Sequence, residues 1–293
     1  MKLSDIEVSE ICRHLCESNP KKITQINGGN IHIALKIEFK SYKIFAKINK
    51  GNKKLLKFEN FCLNDLQKYI SNKDLLVPKV IGYLELENSE ILLMEWIDMV
   101  NGNEGILGKG IAKMHLKSHQ SHPKDFGYSI DGYIGKSNQI KGWEEKWLDC
   151  FSNLRIEPQL KMLQAKYQNI PNNLIEKINS KIKTLLSSHT AHIALIHGDL
   201  WSGNKGISTC SKGVIFDPAC YWADSESDIA MTKLFGGFNN EFYEEYFKII
   251  PQKKDFDKRI IIYNFYHILN HANIFGGGYM EQVRQYIQLI LNM

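Results

Sequence analysis

The chain has 293 residues, a formal net charge of +5 and 43% hydrophobic residues. This length allows two modest domains or one large one, and the composition is ordinary for a soluble globular protein. The 37 basic residues are scattered among acidic ones and form no block, so we expect no nucleic-acid partner. No apolar run approaches the length of about 18 residues that a membrane-spanning helix needs, so we expect no membrane partner either.

The cysteines give no sign of a disulfide framework. Six cysteines stand at irregular spacing without a Cys-x-x-Cys pair, which is typical of reduced thiols inside a cell. The acidic N-terminus, MKLSDIEVSE, lacks the apolar core of a signal peptide. We therefore expect a cytoplasmic protein, and we expect it to be a monomer.

The first 96 residues show the pattern of a small sheet with one internal helix. Ser4 and Glu7 match a capping box, and apolar residues at helical spacing then predict a first helix over 4–18. We interpret 1–96 as an N-terminal lobe. Its further predicted elements are strands over 23–26, 31–39, 42–48, 80–87 and 91–96 and a helix over 53–70.

After residue 96 the pattern changes. The polar, glycine-containing run DMVNGNEG predicts a hinge over 97–103, and the rest, 104–293, forms a mainly helical C-terminal lobe. Its predicted helices cover 104–119, 142–168, 172–187, 225–235, 240–249, 257–273 and 279–291, with short strands around 193–217. The expected fold class is therefore α+β and bilobal, with a small antiparallel-sheet lobe that contains one key helix. A ligand is expected in the cleft between the lobes.

One polar loop has the composition of a phosphoryl-transfer site. HGDLWSGN at 197–204 lies between two apolar runs, and the second run ends at Asp217. Phosphoryl transfer needs one group that orients the attacking hydroxyl and oxygen ligands for Mg²⁺. The loop matches the kinase pattern H-R-D-L-x-x-x-N, with Gly198 in place of arginine. We therefore predict that Asp199 is the catalytic residue, and that Asn204 and Asp217 hold Mg²⁺ on the phosphates of ATP.

A lysine and a glutamate complete this set. Lys47 lies on a predicted strand, and Glu59 lies among apolar residues on the helix that follows. A strand lysine paired with a helix glutamate is the device by which kinases hold ATP phosphates. We predict that Lys47 and Glu59 form such a pair, so that 1–96 is the nucleotide-binding lobe.

Two further segments are weaker candidates for contacts with ATP. A glycine turn between two predicted strands can bring backbone N–H groups close to phosphates, although a plain hairpin turn explains it equally well. The segment that enters the hinge can offer its backbone to the adenine edge, although its side chains alone would simply be core. These candidates are Gly28, Gly29 and Asn30 in the turn, and Met94, Glu95 and Trp96 before the hinge.

The region after Asp217 differs from protein kinases. Pro218 and Ala219 replace Phe-Gly, a helix is predicted from about Ser225, and no Ala-Pro-Glu follows. Little chain is left for an activation segment that docks a peptide. The expected acceptor is therefore a small hydroxyl compound.

Several motifs together resemble the fructosamine-3-kinase (ketosamine-3-kinase) family of the aminoglycoside-phosphotransferase-like kinases. They are HGDLWSGN at 197–204, FDPACYWADSESDIAMTKLFGGF at 216–238 and YHILNHANIFGGGY at 266–279, with INGGNIHIALKI, FAKIN and FGYSIDGYIGKSNQ also similar. The resemblance implies a protein-kinase-like fold and ATP-dependent phosphorylation of the O3 hydroxyl of ketosamines, free or protein-bound. It also implies a repair function, because the unstable 3-phosphate leaves and frees the glycated amine.

The same resemblance implies substrate-binding residues. Trp201 matches the tryptophan on the sugar side of the catalytic loop, and an indole face suits the C–H groups of a sugar. A buried packing tryptophan is the alternative. His267, Asn270 and His271 match a stretch near the sugar pocket, although they would equally suit a satisfied polar network in the core.

Two other positions refine the comparison with this family. Asp228 matches the aspartate that supports the catalytic loop, and it would equally cap the helix predicted there. Some members carry a cysteine in the glycine-rich loop that links dimers through a disulfide. Asn30 and His32 occupy that region here, so we predict no redox switch.

Three functions therefore stay open. The first is a ketosamine 3-kinase that uses ATP and Mg²⁺. The second is a kinase of another small hydroxyl compound, such as an aminoglycoside, choline or a sugar. The third is a catalytically inactive binding module, which the intact set of kinase residues argues against.

Overall fold

The computed structural model describes residues 4–26, 32–51, 54–71, 73–167 and 170–293. The helices are α1 (Asp5–Leu15), α2 (Leu55–Gln67), α3 (Gly105–His119), α4 (Trp147–Phe151), α5 (Glu157–Tyr167), α6 (Asn172–Leu186), α7 (Glu226–Leu234), α8 (Asn240–Ile249), α9 (Phe256–Phe275) and α10 (Gly278–Asn292). A π-helical turn, Ser152–Ile156, joins α4 to α5, and Ser202–Asn204 form a 3₁₀ turn.

The strands are short outside the first sheet. They are β1 (Lys22–Ile26), β2 (Ile33–Glu38), β3 (Lys43–Lys50), β4 (Leu75–Leu76), β5 (Val80–Glu85), β6 (Ser89–Glu95), β7 (Met99–Val100), β8 (Phe126–Tyr128), β9 (Gly132–Ile134), β10 (Ser137–Gln139), β11 (Gly142–Glu144), β12 (Ile193–Ile196), β13 (Lys205–Ser208), β14 (Gly213–Ile215) and β15 (Tyr221–Asp224).

The first sheet is antiparallel, in the order β1-β2-β3-β6-β5, and it has a helix on each face. Alternate residues of a strand point to opposite faces. Ile44, Ala46 and Ile48 of β3 therefore lie in one apolar cluster with Ile11 of α1. Lys47 has the opposite orientation and faces α2, because it stands between two residues of that cluster.

The rest of the chain is mainly helical and contains two small sheets close to the polar loop. One has the order β11-β8-β15-β12 and the other β4-β14-β13-β7. β12 leads directly into the loop at 197–204, and β14 leads to Asp217. One large apolar cluster includes residues of α2 and of the helices from α3 to α10. Leu195, Ile196 and Leu200 belong to it, so the packed helices support the loop at 197–204. No helix in the described residues is both long and apolar enough to span a membrane.

Most predicted elements are present within a few residues of their predicted ends, and the capping box of Ser4 and Glu7 is confirmed. The helix predicted over 142–168 is wrong at its start. Residues 142–144 form β11, which pairs with β8, and Gly142 has a left-handed φ of +152° that a helix does not allow. The sequence also missed β8, β9 and β10, because three-residue strands are too short to show a period of two.

The predicted hinge contains a short strand. β7 pairs with β13, and β4 of the predicted first lobe pairs with β14. Strand pairing thus connects both sides of the predicted boundary at residue 96. The boundaries 1–96, 97–103 and 104–293 stay a prediction.

Helices α3 and α8 cross at Gly108, and we predict that alanine there destabilises the fold. A Cβ atom at Gly108 would lie 2.1 Å from the carbonyl oxygen of Phe242. Overpacking of this kind costs about 1–3 kcal/mol of unfolding free energy, which urea denaturation measures.

Gly278 provides the matched control. It lies at the start of α10, and a Cβ atom there would meet no neighbouring group within 4 Å. Gly278→Ala should leave the unfolding free energy within about 1 kcal/mol of wild type, since alanine suits a helix better than glycine. Equal stability of the two variants would contradict the close crossing at Gly108.

Candidate active site

Lys47 connects the first sheet to the loop that carries Asp217. Its Nζ lies 2.8 Å from both carboxylate oxygens of Glu59 on α2 and 2.7 Å from Oδ1 of Asp217. Burial alone lowers the pKa of Lys47, but the charges of Asp217 and Glu59 outweigh burial and raise that pKa above its ordinary value. Lys47 is therefore a permanent cation between two carboxylates.

Asp228 holds the backbone at the start of the catalytic loop. Its Oδ2 accepts the N–H of His197 at 2.7 Å, and its Oδ1 accepts the N–H of Gly198 at 2.8 Å. His115 of α3 contacts Oδ2 of Asp228 through Nε2 at 3.1 Å, and its Nδ1 lies 2.9 Å from the Tyr246 hydroxyl. Of the two roles considered for Asp228, support of the loop is the one that these hydrogen bonds show.

The charge of Asp228 is maintained in spite of its burial. Burial raises the pKa of this carboxyl, whereas His115, His197 and the N–H of Gly198 lower it, and the net pKa is below the ordinary value. Asp228 is therefore an ionised acceptor for two backbone N–H groups.

Gly198 explains why the arginine of the kinase pattern is absent. Its φ is +81°, and a Cβ atom there would lie 2.1 Å from the carbonyl oxygen of Ala219. Both the left-handed backbone and this contact exclude any side chain. Glycine at this position is thus a requirement of the loop geometry.

Asp199 and Asn204 contact each other within the loop. The side-chain N–H of Asn204 is donated to the Asp199 carbonyl oxygen at 2.9 Å and to Asp199 Oδ2 at 3.2 Å. This leaves the amide oxygen of Asn204 as a ligand atom. Burial and then the charge of Asp217 raise the pKa of Asp199 to about 7. Asp199 and Asp217 offer carboxylate oxygens and Asn204 an amide oxygen, and oxygen ligands of this kind fit a hard cation such as Mg²⁺.

His197 fixes the shape of the loop. Its Nε2 donates to the carbonyl oxygen of Phe216 at 2.9 Å, and its Nδ1 accepts the N–H of Asp199 at 3.3 Å. These two contacts define one tautomer of a neutral ring, and burial lowers the pKa of His197 accordingly. The imidazole thus connects the loop at Asp199 to the residue just before Asp217.

Trp201 is not a buried packing residue. Its side chain is 38% exposed, and its ring lies over Gly203, where a Cβ atom would be 2.3 Å from the indole. The indole also meets the ring of Phe235 edge-on, with the centroids 6.4 Å apart. Part of the Trp201 indole is therefore accessible to a ligand.

Helix α9 carries buried polar atoms. Its His271 is linked to the loop through Phe235, whose ring contacts those of both His271 and Trp201. His267 Nδ1 and Asn270 Oδ1 are buried without a hydrogen-bond partner among the described residues. His271 instead contacts the His267 carbonyl oxygen through Nδ1 at 2.8 Å. The satisfied core network considered for these residues is thus incomplete at two atoms.

The structure gives little support to the weaker candidates for contacts with ATP. Gly28, Gly29 and Asn30 lie outside the described residues. Met94 is buried within the sheet, and the N–H of Glu95 is donated to the Lys79 carbonyl oxygen at 2.9 Å, so that N–H is not free for an adenine edge. The Trp96 side chain donates to Asp98 at 2.7 Å. Their roles stay predictions.

Sequence reasoning missed His115 and gave no role to His32. His115 stands among apolar residues of a predicted helix, and a lone polar residue on an apolar face was the signal for it. Burial and then the charge of Lys47 lower the pKa of His32 to about 4, so its imidazole is neutral at neutral pH. No local sequence pattern indicates this.

The chain matches the family model described as Fructosamine kinase over residues 6–293. It belongs to the fructosamine kinase family. A relative from Vibrio parahaemolyticus, named "Probable ketoamine kinase", is 36% identical over 272 residues and covers 92% of each chain. The chloroplastic protein-ribulosamine 3-kinase of Arabidopsis thaliana is 32% identical over 278 residues, 93% of this chain and 83% of that protein. The resemblance seen in the motifs is confirmed, and so is the prediction of a kinase that acts on a hydroxyl group.

Solved structures confirm the predicted fold class. The Haemophilus somnus structure named "Putative fructosamine-3-kinase" has a TM-score of 0.84 at 26% identity and covers 97% of this chain and 96% of that one. The aminoglycoside phosphotransferase in the gentamicin-APH(2")-IIa complex has a TM-score of 0.66 at 13% identity, covering 100% of this chain and 97% of that one. At that identity the second likeness shows the fold alone, which is the protein-kinase-like α+β architecture.

We predict that Asp228→Asn lowers both stability and turnover. An amide keeps the shape but turns an N–H group toward a backbone N–H, so one buried donor loses its charged acceptor. The expected cost is about 2–4 kcal/mol of unfolding free energy, with a lower kcat because the loop is displaced. Thermal unfolding and steady-state kinetics measure the two effects.

Asp257→Asn, at an exposed position on α9, is the control. It should change stability by no more than about 0.5 kcal/mol and leave kcat unaltered. Wild-type stability and kcat in Asp228→Asn would show that these hydrogen bonds do not hold the loop.

Proposed function

We propose that this protein phosphorylates the O3 hydroxyl of ketosamines, such as ribulosamine or fructosamine adducts of amines, with MgATP as the phosphoryl donor. One observation carries the proposal. A complete set of candidate phosphoryl-transfer residues, from Lys47 to Asp217, includes the loop that carries the exposed indole of Trp201. Ring contacts lead from Trp201 through Phe235 to helix α9, which carries the unpartnered buried atoms of His267 and Asn270. The names of the relatives, ketoamine kinase and protein-ribulosamine 3-kinase, support the same acceptor class.

The proposed chemistry depends mainly on position and charge. The Asp199 carboxylate accepts the proton of the attacking hydroxyl. Lys47, held by Glu59, neutralises phosphate oxygens of ATP. Asn204 and Asp217 would hold Mg²⁺, which supplies further neutralisation of the phosphates. Burial and then the charge of Asp217 raise the pKa of Asp199, so a cation at Asp217 would favour the ionised form of Asp199.

The proposed sugar site consists of neutral groups. Trp201 provides a face for the C–H groups of the sugar, and His267 Nδ1 and Asn270 Oδ1 provide hydrogen bonds for hydroxyl groups. Burial lowers the pKa of His267 to about 3 and also lowers that of His271, so both rings are uncharged at neutral pH. Such a surface suits the hydroxyl and C–H groups of a sugar.

The other two functions differ from this proposal in ways that experiments can measure. A kinase of another small hydroxyl compound would share Asp199 and Lys47 but not the preference for ketosamines. An inactive binding module would bind a ligand without turnover. The predictions of a cytoplasmic, monomeric protein that binds neither nucleic acid nor membranes stay predictions.

We predict that Asp199→Asn removes turnover but preserves nucleotide binding. The amide cannot accept the proton of the acceptor, and general-base catalysis contributes roughly 10²–10⁴-fold. ADP release measures kcat, and calorimetric titration with a non-hydrolysable ATP analogue measures binding. Asp257→Asn serves again as the matched control with wild-type kinetics, and full turnover in Asp199→Asn would exclude the proposed catalytic role.

A panel of acceptors tests the substrate class. Ribulosamine, erythrulosamine and fructosamine adducts of lysine should be phosphorylated on O3, as observed by ³¹P NMR, whereas aminoglycosides, choline and free sugars should not. Phosphorylation of one of these other acceptors alone would favour the second function. Nucleotide binding without turnover on any acceptor would favour the third.

A further inference from the structure

A row of aromatic side chains extends away from the catalytic loop. It consists of Trp201, Phe235, His271, Phe275 and Tyr279, which we call the aromatic strip. Ring centroids are 6.4 Å apart from Trp201 to Phe235, 5.0 Å from Phe235 to His271 and 5.0 Å from His271 to Tyr279. Phe275 lies 5.7 Å from His271 and 6.0 Å from Tyr279. The strip is therefore continuous, although its members come from three separate parts of the chain.

The strip is more exposed to solvent than is usual for large apolar side chains, which are mostly buried. Phe235 is 41% exposed and Phe275 58% exposed, in addition to Trp201. Contiguous exposed aromatic side chains at a protein surface mark a binding site more often than scattered ones do. Here the exposed rings begin at the residue that we place against the sugar.

Helix α9 gives the strip its direction. His267, His271 and Phe275 follow one another at intervals of four, so they share one face of the helix. Each interval advances by about 6 Å, and the face is therefore roughly 12 Å long from His267 to Phe275. One end holds the unpartnered Nδ1 of His267, and the other end is exposed to solvent at Phe275. Between them, His271 contacts Phe235, whose ring meets Trp201 of the loop. A ligand that begins at the loop and continues along this face passes over the strip.

A ketosamine has the matching shape and charge. Its sugar is joined through a secondary amine to a second group, and this amine is protonated near neutral pH. With the sugar against Trp201, the amine and its substituent extend beyond the sugar. Aromatic faces attract cations, and His271 does not repel them, since burial lowers its pKa and keeps the ring neutral.

We propose that the aromatic strip is the subsite for the amine-bearing part of the acceptor. Resting on the proposed ketosamine kinase function, this assignment deepens it. The strip binds the substituent of the amine, and it favours ketosamines with an apolar or aromatic substituent over those with a small acidic one. Phe275 and Tyr279, at the outer end, determine this preference without contact to the reacting hydroxyl.

The test compares two acceptors that share one sugar. Ribulosyl-benzylamine carries an aromatic substituent, and ribulosyl-glycine carries a small carboxylate. Wild type should have the lower KM for the benzylamine adduct. Phe275→Ala and, separately, Tyr279→Ala should raise that KM about tenfold, in line with the loss of one buried aromatic contact, with unchanged kcat. Both variants should raise the KM for ribulosyl-glycine much less, because its small substituent offers little apolar surface to these rings.

Leu289→Ala is the matched control, because Leu289 is an exposed apolar residue of α10 outside the strip. It should leave KM unchanged on both adducts. Thermal unfolding of each variant confirms that the fold is intact, as expected for truncation of an exposed side chain.

The outcomes separate the subsite from the function on which it rests. Equal changes on both adducts, or none, would overturn the subsite and leave the ketosamine kinase intact. Failure of wild type to phosphorylate either adduct would overturn the proposed function and, with it, the subsite. Concentration-dependent dimerisation that disappears in Phe275→Ala, with KM unchanged, would assign the strip to a contact between copies of the chain instead.

Discussion

The buried cation of Lys47 is the interaction on which the arrangement of the active site depends. Buried charges are stable only when paired, and loss of one partner of such a pair costs about 3–5 kcal/mol. Lys47 has two partners, Glu59 of α2 and Asp217, which follows β14. The position of α2 is thereby linked to the position of the predicted magnesium ligand Asp217. Two further contacts join α2 to the C-terminal part of the chain. The Tyr128 hydroxyl donates to Asp65 at 2.8 Å, and the N–H of Cys220 donates to Cys62 Sγ at 3.3 Å.

A second buried charge, Asp228, shapes the loop itself. Two adjacent N–H groups on one carboxylate require the backbone to turn, and the turn places Gly198 in the left-handed region. The same turn brings Gly198 against the carbonyl of Ala219, so glycine is required there. The turn of the loop therefore explains both why glycine stands at position 198 and why the arginine of the kinase pattern is absent. Asp199, the predicted catalytic residue, is the next residue along this fixed backbone.

Much of the fold was predictable because its signals are local. The antiparallel strands and the long helices have clear periods, and the orientation of Lys47 follows from alternation along β3. The start of the helix predicted at 142 was wrong because the positive φ of Gly142 and the pairing of β11 with β8 depend on distant residues. The short strands of 126–139 were missed for the same reason, since pairing and not composition makes them strands.

The kinase activity could be inferred from the amino-acid order, because motif residues close together in the chain carry a recognisable spacing. Asp199 and Asn204 lie in the loop at 197–204 and Asp217 follows β14, and the roles predicted for them stay predictions. Folding was needed to show which distant groups meet them. His115 reaches Asp228 across 113 residues, and the aromatic strip combines the catalytic loop, the end of α7 and the α9–α10 corner. Such contacts result from packing of helices against one another, and no local periodicity records them.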